Sequence, residues 1–458
     1  MNEGDRLVQF VHSLICAMAL LGSSVRPQEG SRLEDRPNFV VIMADDLGYG
    51  DIGCYGSTLC KTPHIDAIAS AGLRFTDFHS SGAVCSPTRA GLVTGRYQQR
   101  ASIPGVVYAD PKRPEHRHGL QPREVTFAEI LRDAGYATAL IGKWHLGYEP
   151  RFNPTQHGFE IFRGYVSGNV DYRSHVDNSG THDWWDGSRN IHEEGYVTHL
   201  ITHHAVKFLE ENAQQPFCLY IAHEAVHSPY QGPNDPAGRK EGGGRLTKNR
   251  ARDNARAYRE MTEEMDKSVG EVLAALRRLG HDRDTLVFFF SDNGANPRGS
   301  NGPLRGRKGQ IWEGGHRVPC IAYMPGRIKP GTTAAATMTI DIMPTLLALA
   351  GEKAPDGHRF DGISLEGLLF GGKPIETRSL FWEVGSSQAM RQGDWKLVIE
   401  KAGQKDAKSF LFDLESDLAE KNDLAQEHPD RVKKMRTVLA EWAADVHEGS
   451  SPQPGGER

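Results

Sequence analysis

Two apolar runs in this 458-residue chain stop on the same kind of ending: NFVVIMADDLG delivers Asp45 and Asp46, and TLVFFFSDNG delivers Asp292 and Asn293. If both runs are neighbouring strands of an open α/β sheet, their carboxyl ends lie where such sheets bind ligands. Three carboxylates and one amide oxygen then converge. That all-oxygen donor set selects a hard cation, calcium or magnesium, over zinc. A single Asp-Asp pair at a strand end is explained by turn chemistry alone; the matched second ending is what points to a metal.

A second constellation surrounds a thiol. In GAVCSPTRAGLVTGR, residues 82–96, Cys85 precedes Ser86 as an N-cap and Pro87 as a first-turn residue, so a helix over 88–94 is expected to begin directly after it. Backbone N–H groups and the partial positive charge of a helix start favour an anion there, and Arg89 is near enough to turn its guanidinium back toward it. Cys85 is therefore either a thiolate of lowered pKa or the precursor of another group. In GKWHLG, Lys143 and His145 are two apart and share a face if the backbone is extended; His145 is a candidate base or a loop histidine packed under Trp144. AHEAVHSPY places His223 and His227 just beyond the apolar run FCLYIA, and Lys308 lies in RGRKGQIWEGG, which alone reads as a basic loop.

These side chains need a scaffold. From residue 38, short apolar runs alternate with amphipathic helical patterns, which predicts an α/β fold with a large, mixed, mostly parallel sheet sandwiched by helices. Thr126 followed by Glu129 predicts a capping box, and Gly135 a helix stop. DIMPTLLALAG, residues 341–351, reads as the last helix of a domain over 36–376. The runs SLFWEV, QAMRQ, WKLVIE and SFLFDL, followed by HPDRVKKMRTVLAEWAADV, predict a smaller antiparallel sheet with one helix over 377–448. Residues 449–458 read as a disordered tail.

Two loop segments carry less specific signals. Residues 231–256 are Gly-rich and basic, which is the texture of a solvated loop more than of a polyanion patch. The segment 164–187 is dense in Tyr, His, Asp and Trp. It is expected either to line a substrate mouth, with Trp184 or Trp185 stacking on a ring, or to anchor a long loop through buried aromatics.

Composition narrows the function classes. A net charge of −5 argues against a dedicated nucleic-acid binder. LVQFVHSLICAMALLGSSV, residues 7–25, reads as a secretory signal with cleavage near 23–25, although MNEGDR before it carries acids where basic residues are usual. The expected location is periplasmic or secreted, with no membrane span in the mature protein, since nothing after residue 36 is apolar for long enough. Of six cysteines, Cys218 and Cys320 sit in strand-like runs as small buried hydrophobes, and Cys54 and Cys60 are spaced so that they could pair.

The run Cys85-Ser86-Pro87-Thr88-Arg89, continuing to Leu92, Thr94, Gly95 and Arg96, resembles the signature of the type I sulfatases of the alkaline phosphatase superfamily. Gly135-Tyr136-Ala137-Thr138, leading to Gly142-Lys143-Trp144-His145, resembles their second signature; Thr88 stands where Ser or Ala is usual. The resemblance implies that Cys85 is oxidised to formylglycine (3-oxoalanine) by a formylglycine-generating enzyme acting on the unfolded chain. It implies calcium, rather than magnesium, on Asp45, Asp46, Asp292, Asn293 and residue 85. It also implies that Arg89 and Lys143 steady the aldehyde hydrate, that His145 is the base for sulfate expulsion, and that Lys308 holds sulfate oxygens. His227, which precedes Ser-Pro, would be the acid toward the leaving oxygen, with His223 structural. The implied activity is hydrolysis of aryl or carbohydrate sulfate monoesters: one hydroxyl of the hydrate attacks sulfur, the alcohol leaves, and the second hydroxyl loses its proton to expel sulfate. A phosphonate or phosphate monoester hydrolase with the same apparatus and a non-catalytic binder of sulfated glycans remain open as alternatives.

Overall fold

The computed structural model describes residues 36–243 and 253–448. The signal-like segment, the tail and residues 244–252 of the basic loop lie outside the described residues. Ten strands form one sheet, in the order Gly331–Thr333, Leu73–Phe75, Cys320–Tyr323, Thr285–Ser291, Asn38–Ala44, Phe217–Ala222, Ala137–Lys143, Ile161–Tyr165, Trp185–Asp186 and Arg189–Asn190. Four central strands carry the site and are numbered here along the chain: β1 (Asn38–Ala44), β2 (Ala137–Lys143), β3 (Phe217–Ala222) and β4 (Thr285–Ser291). All four run parallel, and every residue in them is buried.

Burial on both faces explains why these strands read as continuous apolar runs. Side chains still alternate. Phe39, Val41 and Met43 enter one core with Leu140, Tyr220 and Phe288, whereas Val40, Ile42 and Ala44 enter the other with Ile201, Met261, Met265 and Val287. The second face is covered by the helices Val197–Glu211 and Asn254–Leu279. Asp253 caps the longer helix by accepting from the backbone N–H groups of Ala255 and Arg256, and Gly280 ends it at φ 82°.

The helix Phe127–Asp133 on the first face starts with the expected reciprocal box. The Thr126 hydroxyl accepts from the Glu129 N–H at 3.2 Å, and the Glu129 carboxylate accepts from the Thr126 N–H at 2.8 Å. The same hydroxyl donates to the His157 carbonyl at 2.8 Å. Thr126→Ala removes both bonds and is expected to cost about 1–2 kcal/mol in denaturant unfolding, with turnover unchanged.

Strands Ser379–Val384, Ser387–Gln392, Trp395–Glu400 and Lys408–Asp413 make the small antiparallel sheet, and the helix Pro429–His447 packs on it through Met435, Leu439, Trp442 and Val446. Trp442 stacks on Phe381 at 4.9 Å and meets Tyr97 edge-on at 5.1 Å.

Three expectations change. The helix Ile342–Ala350 is not the last before the small sheet, because Glu366–Gly371 follows and buries Leu369 beside it. Trp184 is fully buried with its indole N–H on Glu193, and Trp185 donates to Asp183; buried anchoring holds for Trp184, while Asn169, Asn178 and Ser179 of the same 164–187 segment line the active-site cavity. Cys54 and Cys60 are free thiols, while Cys218 and Cys320 are buried as expected. Among the described residues no helix is long and apolar enough to cross a membrane.

Candidate active site

Strand register assembles the centre. β1 and β4 pair from Asn38 opposite Thr285 to Ala44 opposite Ser291, so Asp45 and Asp292 leave the sheet side by side. Met43 and Gly142 both pair with Ala222, which brings the end of β2, and Lys143, to the same level. Gly142 is required there: its φ is 114°, and a Cβ would lie 2.0 Å from the Ala222 carbonyl oxygen.

The helix carrying the thiol runs over Cys85–Thr94, and all ten residues are buried. It begins three residues earlier than expected. Val84, in extended backbone, holds the cap position, and Ser86 lies inside the first turn with its hydroxyl accepting from the Val107 N–H at 3.2 Å. Pro87 is tolerated because first-turn N–H groups have no helical partner.

Cys85 Sγ donates to Asp45 Oδ1 at 3.5 Å and accepts from Lys308 Nζ at 3.2 Å. Lys308 also lies 2.6 Å from Asp46 Oδ1. Arg89 donates to Asp292 Oδ2 at 3.0 Å and, through its other terminal nitrogen, to the Lys143 carbonyl at 2.9 Å. Lys143 Nζ pairs with Asp45 Oδ2. Asn293 Nδ2 donates to Asp46 Oδ1 at 2.8 Å, and the Asp46 N–H donates to Asp292 Oδ1 at 3.1 Å.

The surroundings of Cys85 disfavour a thiolate. Burial, and then the Asp45 carboxylate, push the thiol up to about 12, beyond what Lys143 and Lys308 recover. Burial raises the Asp46 carboxyl too, but there Lys308 and His227 outweigh it and hold the group below the ordinary range. Burial and the neighbouring Asp45 push Asp292 up to about 6.

The donor set fits a hard cation. Asn293 Oδ1 is buried without a hydrogen-bond partner while its Nδ2 is engaged, so a bare amide oxygen sits among the carboxylates. Asp45, Asp46, Cys85 and His227 also offer ligand atoms within 4.8 Å of one another.

His145 follows β2 at φ 59°, so it and Lys143 do not share a face through extended backbone; the turn brings the imidazole round instead. Its Nε2 donates to the Val107 carbonyl at 2.8 Å, which leaves Nδ1 buried, unpartnered and free to accept a proton. Burial, then Lys143 and Arg89, hold this ring well below its ordinary pKa. His227 Nδ1 donates to the Ser228 carbonyl at 2.6 Å, and its Nε2 lies 3.7 Å from Asp46 Oδ2. Burial and Lys308 lower its pKa to about 3. His223 turns away to the Ser268 hydroxyl on the long helix, at 3.2 Å.

Cys85, His145, His227 and Lys308 line a cavity of about 650 Å³ whose outer wall comes from residues 106–112 and from Asn169, Asn178 and Ser179. Sequence reasoning missed residues 106–112, which carry no periodicity or motif; Asn169, Asn178 and Ser179 fall in the 164–187 segment that it offered as the lining of a substrate mouth. It also missed Asn296, which donates to Asp46 Oδ2 at 3.1 Å; its place three residues after Asn293 in the same loop was the available signal.

With this geometry in view, a family model described as Sulfatase matches residues 37–352. Arylsulfatase G of Rattus norvegicus is 31% identical over 496 residues, covering 93% of this chain and 90% of that protein. N-acetylgalactosamine-6-sulfatase of Canis lupus familiaris is 32% identical, covering 84% and 74%. The crystal structure of Ps i-CgsB in complex with k-i-k-neocarrahexaose superposes with a TM-score of 0.79 at 26% identity, covering 92% of this chain and 94% of that one.

Proposed function

This chain belongs to the sulfatase family of sulfuric ester hydrolases, and from that premise we propose that it hydrolyses sulfate monoesters of carbohydrate or aryl alcohols at the Cys85 centre. The observation that carries the proposal is a buried residue 85 braced between Asp45 and Lys308 at the base of a cavity that His145 and His227 also line. The family implies formylglycine and a metal ion. We assign the first to position 85, installed by a formylglycine-generating enzyme, and calcium to Asp45, Asp46, Asp292, Asn293 and residue 85.

A sulfate monoester is an anion that repels nucleophiles, so its oxygens must be neutralised before attack. Lys308, already touching both Asp46 and residue 85, is the cation placed to hold a sulfate oxygen. Arg89 and Lys143 are buried against Asp292 and Asp45 and fix those carboxylates. A divalent cation held by that set would draw charge from the sulfate oxygens, and hydrated formylglycine at position 85 would supply one hydroxyl to attack and another to release the product. The bare Nδ1 of His145 accepts the proton lost at sulfate release. His227 serves the leaving oxygen; its acid role needs a proton on Nε2, and an arriving anion favours the charged ring. Asn169, Asn178, Ser179 and Lys112 on the wall suit a hydroxylated leaving group, and Tyr108 offers a ring face.

The signal-like segment supports a periplasmic or secreted enzyme with its catalytic domain over 36–376 and a subdomain over 377–448. The test is sulfate release from a panel of sulfated sugars and aryl sulfates beside a matched aryl phosphonate. Sulfate esters are expected to turn over fastest; a phosphonate preference by orders of magnitude overturns the reading. Chelation is expected to abolish turnover, with calcium restoring it better than magnesium because a cluster of carboxylate and amide oxygens of adaptable geometry suits the larger ion. Full recovery with magnesium alone overturns the assignment of calcium.

A further inference from the structure

Away from the catalytic centre, His182, His192 and Glu241 bring ligand atoms within 4.8 Å of one another. His182 is buried and the other two are exposed; the imidazole centroids are 4.0 Å apart. Asn190 settles the state of the buried ring. Its Nδ2 donates to the His182 carbonyl at 3.0 Å, so the amide oxygen is the atom that faces His182 Nδ1 at 3.0 Å. Nδ1 therefore carries a proton, and the tautomer this bond selects for the neutral ring places the lone pair on Nε2, which is the arrangement an oriented metal-binding histidine has.

The three residues come from separate segments. His192 follows the short strand Arg189–Asn190, positioned by the Ile191 N–H on the Trp184 carbonyl at 2.8 Å. Glu241 lies in a turn whose Gly242 N–H donates to the Gly180 carbonyl at 3.0 Å. Gly180 belongs to the loop folded around Asp177, and Asn178 and Ser179 of that loop form the cavity wall.

We propose that His182, His192 and Glu241 form a site for a divalent transition metal of the zinc class, completed by water, that ties the 238–243 segment to the rim of the active-site cavity. Two imidazoles and one carboxylate favour zinc or cobalt, whereas the all-oxygen catalytic set favours calcium, so one molecule sorts two ions by donor type. A third cluster shows what a non-metal arrangement looks like here. His79, Glu313 and His316 are equally close, but Lys396 and Arg317 already pair with Glu313, and Arg391 with Asp77 beside them.

The experiment titrates calcium-saturated, full-length protein with zinc and with cobalt. Calorimetry reads stoichiometry and affinity, and visible absorption reads cobalt coordination. One equivalent is expected, with His192→Ala and Glu241→Gln each weakening binding by about a hundredfold or more. His199→Ala, on an exposed histidine elsewhere, is expected to leave binding unchanged. Zinc is also expected to slow proteolysis within 238–243 in the parent protein and not in the two site variants. Absence of zinc uptake by the calcium-saturated protein, or undiminished uptake by both site variants, overturns the proposal. Both altered side chains are exposed, so loss of the fold does not confuse the result.

Discussion

Cys85→Ala is expected to lower kcat by about four orders of magnitude or more while leaving the folded protein intact. The thiol is a poor candidate for packing. Its Sγ faces a carboxylate at 3.5 Å and an ammonium at 3.2 Å, and alanine keeps the Cβ in the first helical turn. Unfolding free energy should therefore move by no more than about 1 kcal/mol. Cys85→Ser separates attack from release. A serine hydroxyl can take the sulfuryl group but has no second hydroxyl on the same carbon with which to expel it. That variant is expected to release about one equivalent of alcohol per protein and then stop. Sulfate release, alcohol release and thermal melting check all three statements. An alanine variant that keeps most of the parent turnover removes residue 85 from the chemistry.

What the sequence made legible here was whatever depends on neighbours in sequence or on one strand's own pattern. Asp45 and Asp292 were readable as a pair because β1 and β4 are apolar on both faces and parallel in register, so equal endings become adjacent endings. The box of Thr126 and Glu129 is closed within four residues. Long-range effects decided the rest. The helix start alone argued for an ionised Cys85, but the fold brings Asp45 and Asp292 against it, and burial with those charges reverses the shift. Ser86 looked like a cap until Val107, a residue of the cavity wall, took its hydroxyl. His145 reached the site through a positive-φ turn that an alternating pattern does not encode. Trp184 was ambiguous by composition and is settled by its full burial, with its indole N–H donated to the half-buried Glu193.

The small C-terminal sheet was legible as strands, yet nothing in its pattern revealed how it is fastened. Lys396, fully buried, lies 2.9 Å from Glu313 Oε1, 2.9 Å from Glu420 Oε1 and 3.2 Å from His316 Nε2. Arg391 on the neighbouring strand reaches Asp77 at 2.6 Å. Lys396→Met fills similar volume but removes the cation between two buried carboxylates, leaving Glu313 to Arg317 and Glu420 without a cation, and is expected to cost about 3–5 kcal/mol of unfolding free energy. Burial alone raises the Glu313 carboxyl, but Lys396 and then His79 pull it well below the ordinary range in the parent. That group therefore contributes stability above the unfolded carboxyl pKa and loses it as pH falls. In the variant the opposite sign comes from Glu420: deprived of its cation, that buried carboxyl is cheaper to keep protonated, so the deficit should narrow between about pH 7.5 and about pH 5. Adding Glu420→Gln to Lys396→Met should recover part of the loss, since the charge left without a cation is then gone. Denaturant midpoints across that pH range decide the matter; a deficit that is flat with pH, or no recovery in the double variant, would show that the lysine acts through packing and not through its charge.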